Sequence, residues 1–301
     1  MIKNILAIRN DRFGEFLLNI PAIRALKATY PGARLTLGVS PQVKELAECV
    51  EYADKVVVWD DAFKKNLKKF KFDTCVILNP AKEAHWISFR AGIPRRVGYN
   101  RKWGILLTHK MKDSKNLGLK HEVEYNLDLV GLIGAKISDK SIHLSKLPQH
   151  SKLEYAGAIA VHPFTSDTLK QWPVDRFRQL IKRLSEELKD KVLVVGRDEI
   201  IGEEYFDSLG DNIINLVNKT SLVELAQILK QCRMLVTCDS GPMHLAAAVG
   251  TPVVALFRND LPGKTARRWG PWGKGHEVIE RNNLIQIEVD EVLNKIKGIL
   301  K

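Results

Sequence analysis

The sequence predicts an α/β protein made of two doubly wound parallel sheets, and three observations predict it. At 301 residues the chain is too long for one ordinary core and suits two domains of about 150 residues, with two lobes and a cleft as the starting expectation. Short apolar runs such as Val192-Leu193-Val194-Val195 alternate with amphipathic stretches in both halves, and unbroken apolar runs suit strands covered on both faces by helices. A Lys-, Ser- and Pro-rich stretch over residues 144–152 interrupts the rhythm, which places a linker there. The expected domains are residues 1–150 and 151–301.

In the first half, residues 4–9, 34–40, 55–59 and 74–78 read as strands, and residues 15–29, 41–49 and 62–69 carry helical periodicity. In the second, strands are expected at 158–162, 191–196, 213–217, 234–239 and 252–257. Helices are expected there at 175–189, 200–209, 221–231, 242–249 and 288–300. In open sheets of this kind ligands bind beyond the carboxyl ends of the strands, so the loops after strands carry the functional information.

Composition excludes several classes. A hydrophobic share of 45% with 27% charged residues is that of a water-soluble globular protein, and no apolar run approaches the roughly 20 residues that span a bilayer. Residues 1–9 hold one lysine and a short apolar run ending in arginine, the pattern of a first strand rather than of a signal peptide, which predicts a cytoplasmic protein. Cys49, Cys75, Cys232 and Cys238 form no C-x-x-C pair and sit in or beside apolar runs, as reduced structural cysteines do. The net charge of +12 attracts nucleic acid, anionic lipid or phosphorylated substrates without choosing among them. No recognised nucleic-acid module accompanies that charge, so no nucleic-acid partner is expected. Lys64, Lys65, Lys68, Lys69 and Lys71 interleave with Phe63, Leu67, Phe70 and Phe72, the spacing of a solvated outer helix face or of an anionic acceptor or membrane-surface patch.

Three post-strand segments could carry chemistry. At Asp239-Ser240-Gly241-Pro242-Met243-His244 an apolar strand runs into a helix; Gly241 permits a tight turn and Pro242 suits the first helical position. Such a helix start is an anion site to which Ser240 and His244 add hydrogen bonds, and it is equally an ordinary capped terminus. The second segment, His162-Pro163-Phe164-Thr165-Ser166-Asp167-Thr168-Leu169-Lys170, supplies hydroxyls at Thr165 and Ser166 and a point charge at Lys170 for a phosphate, or else a plain solvated loop. The third joins the first strand to its helix and places Glu15 on the first helical turn. A carboxylate there can accept a proton from a hydroxyl, although the helix dipole alone favours an acid at that position. Walker A, H-E-x-x-H, G-x-S-x-G, G-x-G-x-x-G and D-x-D patterns are absent, so neither a metal nor a cofactor is signalled.

Taken together, the span from Ile8 to Leu26, the block from His162 to Phe177 with its Lys-x-Trp-Pro-x-x-Arg-Phe ending, and the Asp239 to Ala248 segment resemble glycosyltransferase family 9, the ADP-heptose:lipopolysaccharide heptosyltransferases. Segments at Ile93–Tyr99 and His121–Leu127 resemble weaker family features. The resemblance implies a GT-B fold, two Rossmann-like domains facing each other across a cleft, with the acceptor held mainly by the first and the nucleotide sugar by the second. It also implies a last helix that can cross back to the first domain, and inverting transfer without a metal. Glu15 then takes the place of the family's aspartate base, Lys170, Ser240, Gly241 and His244 contact the donor diphosphate with Thr165 and Ser166 nearby, and Asp239 and Glu199 contact nucleoside or sugar. Arg95, Arg96, Lys64 and Lys68 are candidate contacts for an anionic glycolipid acceptor, with the inner membrane surface as a peripheral partner. Because Glu15 replaces aspartate, a nucleotide-sugar-binding protein with lost or weak transfer is the alternative.

Overall fold

The computed structural model describes residues 2–149, 153–198 and 203–300, and the chain divides into two compact units, Met1–Lys146 and Leu147–Lys301. The first unit holds strands β1 (Asn4–Arg9), β2 (Arg34–Val39), β3 (Lys55–Val58), β4 (Thr74–Ile77), β5 (Arg95–Tyr99) and β6 (His109–Met111). They pair in the order β3-β2-β1-β4-β5-β6. Every pairing is parallel; Ile5 of β1 stands between Leu35 and Thr74. Helices α1 (Phe13–Leu17), α2 (Ile20–Thr29), α3 (Lys44–Glu48), α4 (Asp61–Lys65), α5 (Lys82–Arg90) and α6 (Glu122–Gly131) accompany this sheet.

The second unit repeats the plan with β7 (Ile159–His162), β8 (Val192–Val194), β9 (Ile213–Asn215), β10 (Met234–Cys238), β11 (Val253–Arg258) and β12 (Glu277–Arg281). Their order is β12-β11-β10-β7-β8-β9, again all parallel. Its helices are α7 (Val174–Glu187), α8 (Leu222–Gln231), α9 (Gly241–Ala248), α10 (Ala266–Trp269) and α11 (Val289–Leu300).

The sequence explains why these elements form. Strands β7, β8 and β10 are buried at every position, as sheets sandwiched between helices must be. Helix α7 buries Phe177, Leu180, Ile181 and Leu184, one stripe at helical spacing. Ser221 and Glu224 close a reciprocal capping box at the start of α8. Helix α11 packs on α7 and β11 of its own unit. The stretch expected to be one helix over residues 15–29 is two: Pro21, in the first turn of the second, has no N–H to continue the ladder from the first, and the buried Asn19 side chain donates to the Glu15 carbonyl at the break. The helix expected at 62–69 likewise shortens to α4 and continues as a 3₁₀ turn, Leu67–Phe70. Of the expected helix at 200–209, residues 200–202 lie outside the described residues, and Glu203–Phe206 forms a 3₁₀ turn. The strands β5, β6 and β12 and the helices α5 and α6 add to the expected pattern.

All four cysteines are buried and unpaired with one another, and burial pushes the Cys232 and Cys238 thiols up to about 12. Among the described residues, no helix is long and apolar enough to cross a membrane.

Candidate active site

In each sheet the strand order reverses between two central neighbours, β1 and β4 in one and β7 and β10 in the other. A crevice opens beyond the carboxyl ends at such a point because the two following chains leave in opposite directions. All three candidate loops lie at these two places.

In the second unit, β10 ends at Cys238, Asp239 follows, and Ser240 is the N-cap of α9 with an extended backbone (φ −153°, ψ 164°). Its side chain does not cap the helix. The Ser240 hydroxyl instead lies 2.9 Å from Thr237 Oγ1 and 3.3 Å from His162 Nδ1, which is itself 3.0 Å from Thr237 Oγ1. The side chain that would normally occupy the first turn is thus turned back onto the strand ends, and Pro242 in that turn has no N–H to satisfy. The remaining first-turn amides carry the positive end of the helix dipole, the chemistry of a candidate anion site. His244 lies buried on the same turn.

His162 is a buried neutral imidazole: burial alone lowers its pKa to about 3. Gly196, after β8, makes room for it. A Cβ at Gly196 would lie 2.5 Å from His162 Cδ2 and 2.9 Å from Phe164 Cδ2, and the backbone there has φ +130°, which only glycine adopts without cost.

Above this neutral layer lie charges. Lys170 closes a 3₁₀ turn, Thr168–Lys170, which Asp167 caps, and its ammonium pairs with Asp239. Burial raises the Asp239 pKa and the Lys170 ammonium opposes that rise. Thr165 Oγ1 is held by the Asp167 amide at 3.3 Å, and Ser166 is exposed. Arg258, the last residue of β11, donates to the Leu169 carbonyl at 3.2 Å and forks onto Asp260; Lys264 pairs with Asp167 at 3.4 Å. Lys170, Arg258 and Lys264 therefore gather three cations around one set of strand ends. Arg258, Lys264, His162 and Thr237 were not singled out from the sequence for this role. The position of Arg258 directly after an apolar strand run was the signal that could have found it.

The rest of the Lys-x-Trp-Pro-x-x-Arg-Phe block is structural. Trp172 is fully buried, donates from Nε1 to the Ile287 carbonyl at 3.0 Å and meets Phe177 edge-on at 4.8 Å. Arg176 reaches the same carbonyl and pairs with Glu288 at 3.0 Å.

In the first unit, Arg9 ends β1 and is buried. Its guanidinium pairs with Asp11 at 2.7 Å, donates to the Leu78 carbonyl at 3.0 Å and lies 3.9 Å from Glu122. Glu122 is buried on the first turn of α6 and pairs with Lys115. Lys115 also contacts Asn126 at 3.3 Å and sits 4.2 Å over the Tyr99 ring, and Asn126 donates to the Leu18 carbonyl at 3.3 Å. His121 and Glu124 form a capping box at the start of α6. The weaker segment at His121–Leu127 thus has a physical role: it caps a helix and delivers a buried anion beneath the loop that bears Glu15.

Glu15 stands half-buried on the first turn of α1. Burial raises its pKa above the ordinary carboxylate value, Arg9 pulls it down and Asp11 pushes it up. A carboxylate with raised proton affinity at a strand end can serve as a general base.

The structure separates the remaining candidates. Arg95 and Arg96 open β5, and Arg95 pairs in register with Thr74 at the amino end of β4. They lie at the sheet edge opposite Glu15, and Arg96 is spent on the carbonyls of Leu106 (2.7 Å) and Ile93 and on the Phe89 ring. A parallel sheet sends its two edges to opposite sides, so these arginines start their strand away from the edge that bears Glu15. Lys64 follows β3 on the Glu15 edge but pairs with Asp61 (2.9 Å) and Glu83 (2.7 Å). Lys68 is exposed on the adjoining turn. Glu199 lies outside the described residues.

Comparison with known proteins agrees with these sheets. A lipopolysaccharide heptosyltransferase 2 of Salmonella typhimurium is 25% identical, over 87% of this chain and 84% of its own. A glycosyl transferase family 9 structure from Veillonella parvula superposes with a TM-score of 0.84 at 18% identity, covering 99% of this chain and 97% of its own. An E. coli heptosyltransferase solved with ADP-2-deoxy-2-fluoro heptose superposes with a TM-score of 0.76 at 19% identity, covering 98% and 99%. The paired six-stranded units are those of a GT-B protein. The model of glycosyltransferase family 9 (heptosyltransferase) matches residues 61–296, so the chain belongs to that family and is a glycosyltransferase.

Proposed function

We propose that the protein transfers a heptose from ADP-heptose, with inversion and without a metal, to the lipopolysaccharide core or a related anionic glycolipid at the cytoplasmic membrane surface. The observation that carries the donor half is the start of α9 beside Lys170, a combination suited to a diphosphate. The relatives and neighbours named for heptosyl transfer, one of them solved with an ADP-heptose analogue, support the choice of sugar and nucleotide.

In this reading the second unit binds the donor and the first the acceptor. Glu15 takes the proton of an acceptor hydroxyl, and the hydroxyl oxygen forms a bond to the anomeric carbon. The bond from that carbon to the diphosphate oxygen breaks, and ADP leaves with the electron pair. Lys170, the amides at the start of α9, the Ser240 hydroxyl and His244 meet the charge that develops on the leaving group, where fixed donors act most strongly. Thr165, Ser166, Arg258 and Lys264 line the approach, and Asp239 orients Lys170.

Incubation with ADP-heptose and a Kdo-terminated acceptor tests the reading by product formation. Intact turnover in Glu15→Ala would remove Glu15 as the base. A binding protein with weak transfer is the second reading, favoured by the extra methylene of Glu15 relative to aspartate, since a misplacement of ~1 Å costs about 100-fold. A large gain of turnover in Glu15→Asp would favour it.

A further inference from the structure

Helix α5 and the turn that follows β5 raise an apolar patch out of the first unit. Trp86, Phe89, Trp103 and Ile105 are 42%, 45%, 39% and 83% exposed. They form one cluster: Trp86 meets Trp103 edge-on at 5.4 Å and Phe89 at 6.1 Å. The display is built rather than loose. Leu106 and Leu107 amides close a tight turn onto the carbonyls of Trp103 and Gly104 at 3.0 Å each. Leu107 is buried beneath it. A Cβ at Gly104 would fall 2.6 Å from Asn100 Oδ1, so glycine lets the Asn100 side chain lie against this turn, which leaves Trp103 and Ile105 exposed while its base is packed.

Charge surrounds the patch with one sign. Residues 81–110 carry seven lysines and arginines against one acid, Glu83, and Glu83 is already paired with Lys64. Lys82 lies 4.9 Å over the Trp103 ring, and Arg90, Arg101 and Lys102 are exposed, Arg101 in a pair with Asp113 at 3.3 Å. Tryptophans with a flanking isoleucine, ringed by ammonium and guanidinium groups, match the boundary of an anionic bilayer, where indoles sit among headgroups, aliphatic side chains enter the acyl region and cations pair with lipid phosphates.

We propose that this α5 and Trp103–Leu107 surface docks the enzyme on anionic lipid headgroups. The proposal rests on the reading above only in expecting a membrane-borne acceptor, and its deciding readout, partition onto vesicles, uses neither donor nor acceptor. Sedimentation with phosphatidylglycerol-containing vesicles, compared with pure phosphatidylcholine vesicles, measures partition. The expected result is binding to the anionic vesicles that weakens with salt and shifts tryptophan emission to the blue. In Ile105→Glu/Lys102→Glu, two exposed changes that leave the packed turn in place, partition should fall about tenfold or more, with unchanged thermal stability and unchanged transfer to a delipidated, soluble acceptor. Equal partition of wild type and variant would overturn the proposal. So would absence of anionic-lipid binding together with a dimer that Ile105→Glu dissociates, which would assign the patch to a second copy of the chain. Loss of transfer with vesicle binding intact would remove the transfer reading alone.

Discussion

The two switch points share one topology and solve opposite electrostatic problems. Below the Glu15 loop the first unit buries three full charges, Arg9, Glu122 and Lys115, and balances them among themselves and with the half-buried Asp11. Below the start of α9 the second unit buries the neutral His162 and Thr237 under a half-buried Ser240, and its nearest charges, Lys170 and Asp239, are half-buried and paired with each other above that layer. Cations buried near a carboxylate can fix a base and set its proton affinity, whereas a neutral floor leaves a helix dipole undiminished for an incoming anion. In the proposed reading, one scaffold supplies a proton acceptor and an anion holder by changing what lies under the strand ends.

The sharpest way to separate these roles is Glu15→Gln, which should lower transfer about 1,000-fold while the thermal shift given by ADP stays at the wild-type value. The raised Glu15 pKa adds a sign. A base works only when deprotonated, so the acid limb of the pH–rate profile should lie above the ordinary carboxylate range and vanish in Glu15→Gln.

Breaking the charged floor comes next. Glu122→Gln leaves Lys115 and Arg9 buried without their shared anion, and removing one partner of such a pair costs about 3 kcal/mol. Denaturant unfolding measures that loss, and ADP binding in the other unit should be retained. Breaking the neutral floor with Gly196→Ala should cost about 2 kcal/mol, from a disfavoured φ and a methyl group pressed on the His162 ring; here ADP binding should weaken as well.

The smallest effect is a slope. The His162 pKa falls from 6.5 to about 3 on folding, so as pH drops the unfolded chain takes up a proton first. The stabilisation is complete above the unfolded value and is lost as pH falls from about 6.5 towards 3, by up to about 1.4 kcal/mol per pH unit. Asp239, whose pKa is raised, acts in the opposite sense at lower pH. Stability measured between about pH 6.5 and 5 should therefore decline in the wild type and decline less steeply in His162→Asn, where His85 and His276, whose pKa values burial also lowers, keep part of the slope.

Much of this was legible in the sequence because periodicity and strand-end position are local signals. The apolar runs that became β7, β8, β10 and β11 could be read directly, and so could the approach of Lys170 to Asp239, since both residues follow central strands. The charged network could not, because residues 9, 115, 122 and 126 meet only through the fold. Arg95 and Arg96 show what charge and motif leave out, since strand direction sets them at the edge opposite Glu15. The split at Asn19 was legible in Pro21, which cannot continue a helical ladder, although apolar periodicity alone runs through it.

The Ile287 carbonyl accepts from both Trp172 and Arg176, and this fastens the segment after Lys170 to the residues just before α11. Opening either segment strips that carbonyl of its donors, so the two should unfold as a single cooperative unit. Amide hydrogen exchange would then report equal protection free energies for the start of α7 and for α11, and the mobility of the donor loop would be governed by the chain's last dozen residues.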